Sequence, residues 1–165
     1  MSTARVPHGD VSPNPTIPDS QFPIPDGWSR GSGYSHAVAA EGRQIFIAGQ
    51  IGWDPATMKV VPGGVVAQSR QAFANIAAIL TAAGATPANL VRLTWFITDR
   101  DAYLRERAAI GAAYREVLGR HFPAMSVVVV AGLLEPGAEV EIEATAVVPS
   151  ESGPSPSSGR GRGTC

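Results

Sequence analysis

The stretch "LVRLTWFIT", residues 90–98, leaves few folds open. Side chains alternate across a strand, so Val91, Leu93, Trp95 and Ile97 share one face while Arg92 and Thr94 lie on the other with Leu90 and Phe96. Such a strand is covered on its apolar side, and two helical patterns are available to cover it. From Val65 to Ala83, the residues Phe73, Ile76, Ala77 and Leu80 recur at helical spacing, and Gly84 supplies a left-handed stop. After the strand, Asp99 or Asp101 accepts from the first free N–H groups of a second helix. That helix keeps Tyr103, Ile110, Tyr114 and Val117 on one face and ends at Gly119.

The remaining extended runs complete the pattern. Residues 34–40 and 44–50 read as a hairpin around Glu41-Gly42, "IGWDPATMKVVPGG" as a loop, and 125–131 and 138–147 as two closing strands. The order β-β-α-β-α-β-β, with too few helices for both sheet faces, implies an α+β layer: one sheet with two helices on one side. The open face would carry valines and Phe96, and the low-cost cover for it is other copies of the chain.

The 165 residues are 44% hydrophobic and 16% charged, enough for one core. Six of 14 prolines fall in the first 25 residues, so 1–28 reads as an extended or disordered arm; the Ser/Gly/Pro-rich 149–165 reads as a flexible tail, leaving a domain at 29–148. Net charge is −1 with a single lysine, Lys59, and scattered arginines, which disfavours nucleic acid as a partner. The only cysteine is Cys165, so no internal disulfide or thiolate metal cluster is expected. No secretory h-region or apolar run long enough to span a membrane is present, and the expected location is the cytoplasm.

Few residues are placed for chemistry. His8, His36 and His121 show no metal-ligand spacing, and neither a nucleophile elbow nor a phosphate loop occurs. Glu139, Glu141 and Glu143 alternate with Val140 and Ile142 and so share a strand face. They are either a solvated face, or one of them, with Glu141 mid-strand the candidate, is enclosed where desolvation suits it to carry a proton. Tyr34 and His36 share a face after Gly33, reading either as packing and a local hydrogen bond or as acid–base groups. Trp53, beside Asp54-Pro55, either pins its loop or walls a pocket.

Taken together, "GYSHAV", "IFIAGQIGWDP", "QAFANIAAILTAAGA", "LVRLTWFITD", "FPAMS" and "VEIEATAVV" resemble the Rid superfamily of reactive-intermediate deaminases, the YjgF-like proteins, over about 33–148. The resemblance implies a chorismate-mutase-like fold, a homotrimer with three pockets at subunit interfaces, and no cofactor or metal. It also implies hydrolysis of enamines or imines such as 2-aminoacrylate to keto acids and ammonia. Carried over by position, Tyr34 is the first-strand tyrosine, Gly49 and Gln50 close the next strand, Ser126 ends the Pro-Ala-x-Ser corner, and Glu141 is the acid/base. This chain departs from the pattern at three places. Met125 replaces the arginine that binds the substrate carboxylate, Ala48 replaces a serine, and Gly111 an asparagine.

Losing the arginine forfeits on the order of 2–5 kcal/mol of carboxylate recognition. Met, Ala and Gly together enlarge the site and make it apolar, so a bulkier substrate is expected, with Trp53 as a possible wall and Trp95 in the core. Arg92 from a neighbouring subunit is a candidate substitute anchor. The expected function is a divergent enamine or imine enzyme ending in hydrolysis, tautomerisation or ring closure. The alternative is a non-catalytic trimeric binder of small molecules or a pathway accessory protein; a ribonuclease is disfavoured by the lack of a basic patch.

Overall fold

A computed structural model describes residues 22–150. The readings of 1–21 and 151–165 lie outside the described residues. Within the chain run β1 (Arg43–Ile51), β2 (Trp53–Asp54), β3 (Lys59–Val60), α1 (Gly64–Ala82), β4 (Leu90–Ile97), α2 (Arg100–Val117), β5 (Ala124–Val129) and β6 (Val140–Val148). Four strands form one mixed sheet in the order β1-β6-β4-β5. β6 is antiparallel to both β1 and β4, whereas β4 and β5 are parallel and need the crossover that α2 provides. The α+β architecture read from the sequence is therefore the one observed.

Why the helices stand where they do follows from their apolar stripes. Phe73, Ile76 and Leu80 of α1 are fully buried, and Ile110, Ala113 and Tyr114 of α2 join them over Leu93, Trp95 and Ile97 of β4 and Val140, Ile142, Ala144 and Ala146 of β6. Each large apolar side chain so buried contributes roughly 1.5–3 kcal/mol relative to exposure. Gly84, at φ +68°, closes α1 in a Schellman arrangement: its N–H donates to the Thr81 carbonyl, and that of Ala85 to Leu80. At the start of α2 it is Asp99, not Asp101, that caps, accepting from the N–H groups of Asp101 and Ala102 at 2.8 and 2.9 Å.

Three expectations change. No hairpin joins 34–40 to β1; Ser35 instead forms a single parallel bridge to Ala124 on the far edge of β5, its N–H donating to the Pro123 carbonyl. The loop after β1 contains a two-residue ladder, Trp53–Asp54 against Lys59–Val60. In β4, an irregularity between Leu90 and Arg92 inserts Val91 as an extra residue, so Leu90 rather than Val91 is fully buried. Alternation alone cannot reveal a bulge, because the bulge is what interrupts it. Part of the N-terminal arm packs on the domain, with the Phe22 ring edge-on to His121 at 5.8 Å.

Candidate functional site

β6 is positioned from α1. The buried Gln68 amide donates to the Gly137 carbonyl at 2.9 Å and accepts from the Glu139 N–H at 2.8 Å, fixing where the last strand begins. Val140 and Ile142 then face the core, which turns Glu141 to the open side of the sheet opposite Ile51 and Phe96. β1 is irregular between Ile47 and Gln50, leaving Ala48 and Gly49 as a bulge beside this carboxylate. A Cβ on Gly49 would overlap the Glu141 carboxylate, so the glycine is what lets the side chain lie across the strand. Glu141 is half-buried and carries no hydrogen bond or ion pair from the described residues.

Gln50 and Trp53 lie at the same end of β1. The Trp53 indole N–H donates to Gln50 Oε1 at 3.4 Å, and the Asn75 amide holds the Trp53 carbonyl at 2.9 Å. Trp53 also walls a hollow of about 250 Å³ with Ile51, Met58, Val60 and Glu135. The Trp53 backbone is thus held from α1, and the residue borders a hollow on the surface.

Met125 is elsewhere. It is paired with Leu93 and points to the helix side of the sheet, into a cavity of about 590 Å³ between β5 and α2 that Gly111, Trp95, Tyr103 and Phe122 also line. Ser126, the next residue, is paired with Thr94 and faces the open side. Tyr34 is 41% exposed, its ring set over Gly31 and edge-on to His36 at 5.4 Å. It lines a separate hollow of about 270 Å³ with Arg30, His36 and Arg120. The His36 Nε2–H donates to the Ser29 carbonyl, 3.0 Å away.

The protomer therefore divides the set. Glu141, Gly49 and Ala48 sit on or beside the open face, Met125 and Gly111 on the helix face, and β4 stands between β5 and β6. Two strand spacings are about 10 Å, so no small molecule touches Glu141 and Met125 of one protomer together. Arg92 is on the open face beside Thr94, Glu143 and Thr145 and does not reach the Met125 cavity of its own chain.

The arginines missed from the sequence are on α2 and just after it. Arg107 and Arg115 line the Met125 cavity, as does Arg120. The available signal was helical spacing: Tyr103, Arg107, Gly111 and Arg115 recur every four residues and form one stripe. Burial pushes the Tyr114 hydroxyl well up, so it stays protonated, and it donates to the His121 carbonyl at 2.7 Å. Among the described residues no cluster of three or more His, Cys, Asp or Glu could hold a metal ion, and no helix is long and apolar enough to cross a membrane.

The fold is an α+β layer with two helices on one face of a mixed sheet, as in solved YjgF/Rid structures. The chain belongs to the family described as Endoribonuclease L-PSP, the YjgF/RutC/Rid family, whose model matches residues 29–148. It is 42% identical over 114 residues to the goat (Capra hircus) 2-iminobutanoate/2-iminopropanoate deaminase, covering 69% of this chain and 79% of that one. Among solved structures it is similar to the conserved Rid protein YyfB of Yersinia pestis, with TM-score 0.62, 35% identity and coverage of 83% and 96%. It is also similar to E. coli TdcF with bound serine, with TM-score 0.55, 32% identity and coverage of 81% and 98%.

Proposed function

We propose that this protein is a cofactor-independent Rid-family enzyme that acts on an enamine or imine, with Glu141 as acid/base and Tyr34 as an orienting donor. One observation carries the reading. Glu141 is held over side-chain-free Gly49 with no partner among the described residues, which leaves both carboxylate oxygens for a water or a substrate proton. In hydrolysis, water adds to the C=N carbon while Glu141 takes its proton and passes it to nitrogen. The hydroxyl of the adduct then gives its proton through Glu141 to the amino nitrogen as the C–N bond breaks, so that ammonia leaves and the carbonyl forms. The name of the goat relative supports an imine substrate.

The division of the site between the two sheet faces supports pockets between subunits, since a second copy must bring the other half, and the proposed assembly is a homotrimer acting in the cytoplasm. Met125, Ala48 and Gly111 give those pockets less polarity and more room than the arginine, serine and asparagine of the resembled pattern, which favours a bulkier substrate than 2-iminopropanoate. Gln50, Trp53 and Ser126 complete the proposed walls.

Enzymatically generated 2-iminobutanoate and larger imino acids, followed by keto acid and ammonia release, test the reading. Wild type is expected to hydrolyse the larger imines faster than the small ones, and Glu141→Gln to lose about 10²-fold or more in kcat. Met125→Arg should raise turnover of the small ones. Met125 also favours a second reading, a non-catalytic binder, since the expected carboxylate anchor is missing. Wild type inert on every imine but still binding the corresponding keto acids would establish the binder.

A further inference from the structure

The Met125 cavity holds three arginines and no acid. Arg107, Arg115 and Arg120 all line it, and no Asp or Glu does. Arg70 is paired with Glu116 and Arg100 with Asp101, whereas none of these three has a carboxylate or hydrogen-bond partner among the described residues. Uncompensated guanidinium groups in one concavity concentrate positive potential there. That field is felt inside the wall: burial pushes the Tyr103 hydroxyl up, and Arg107 pulls it back down.

The site is also shaped for a fork. Gly111 lies midway between Arg107 and Arg115 on the same stripe of α2, and a Cβ added there would stand 3.4 Å from Arg115 Nη1. The bare helix surface is thus where the Arg115 guanidinium rests. Across from it the wall is apolar, made by Met125, Phe122, Val127 and the Trp95 ring. Trp95 is only 4% exposed, and its indole N–H has no acceptor among the described residues. A buried donor without a partner costs on the order of a hydrogen bond.

We propose that this cavity is the binding site for an organic carboxylate with a bulky apolar body, the head held by Arg115 and Arg120 with Arg107 adding charge, and the body lying on Met125 and Trp95. The inference rests on the imine reading for the choice of carboxylate over phosphate. It moves the anion anchor from position 125 to α2 and its following turn, so that Met125 contacts the body of the ligand instead of its charge. Arg is suited to the task because its planar fork matches two carboxylate oxygens.

Calorimetric titration of the full chain with phenylpyruvate, pyruvate and benzyl methyl ketone separates head from body. Phenylpyruvate is expected to bind about tenfold or more tighter than either, and Arg115→Gln and Arg120→Gln each to weaken it about tenfold or more while changing the ketone little. Arg92→Gln should change neither. If a glutamine variant loses its near-UV circular dichroism, Arg115→Lys takes its place, and retention of charge without the fork should still weaken phenylpyruvate measurably. Equal affinity for acid and ketone, or unchanged affinity in the arginine variants, overturns the site. Tight binding of phenyl phosphate with none of phenylpyruvate overturns the carboxylate assignment. The imine assay run beside it keeps the two proposals apart. Arg115-dependent acid binding without turnover of any imine sinks the catalytic reading and sustains the anion site; hydrolysis with an unchanged KM in Arg115→Gln does the reverse.

Discussion

Two glycines three residues apart bear opposite consequences for the same added methyl group. At Gly49 a Cβ meets the carboxylate end of Glu141, a flexible side chain that can swing away; at Gly52 it meets the backbone and Cβ of Gln68 on α1, which cannot. Gly49→Ala is therefore expected to leave the protein folded while displacing Glu141, with activity down about 10²-fold for a misplaced catalytic group. Gly52→Ala should instead lower unfolding free energy by about 1–3 kcal/mol, as overpacking of a tight contact does. Paired urea titrations and imine assays check both. At this scale the sequence was half legible. The motif around Gly49 was readable as a resemblance, but its reason, a carboxylate laid across the strand, lies in a residue 92 positions away.

At the scale of elements, the helices were the easiest to read, because an apolar stripe at helical spacing is a local pattern. Phe73, Ile76 and Leu80 were found where the spacing placed them. Caps were nearly as legible, and Asp99 offers a test. The Ala102 N–H chiefly, and that of Asp101, hold its carboxyl below the ordinary value against a smaller effect of desolvation, with Arg105 helping. A folded value below the unfolded one means that the stabilisation is complete above the unfolded value, about 4. It is lost as pH falls through the folded value. Asp99→Ala should thus have a lower Tm than wild type at pH 7, and the difference should shrink as melts are taken to pH 3 and below. The element misread was 34–40. Its alternation suits a strand, but Ser35 finds its partner at Ala124, far along the chain, not in the neighbouring run.

For the whole molecule, the open sheet face decides most. Phe46 is 76% exposed there, opposite Thr145, and Val128 stands beside Phe96 two strands away. An apolar patch of this kind is costly to leave in water. Light scattering at micromolar concentration is expected to give three copies of the chain, and Phe46→Glu to shift the mass toward one copy while imine hydrolysis falls with it. A monomeric wild type that still hydrolysed imines would overturn the interface pocket. In the proposed assembly the anion site and Glu141 would come from different copies, because Glu141 and Met125 of one chain lie on opposite sheet faces.

The sequence by itself determined the α+β layer, the two helices and the family, because periodicity, capping and motif order are written in neighbouring residues. It also singled out Glu141 and Met125 as the positions at which chemistry and departure from the family pattern concentrate. Only the tertiary structure decided that these two face opposite ways, that Gly49 makes room for the glutamate, and that Arg107, Arg115 and Arg120 gather around the methionine. The reason is physical. A side chain's face is set by local alternation, but which faces meet, and which charges remain uncompensated, depends on strand order and helix placement that no short stretch of chain contains.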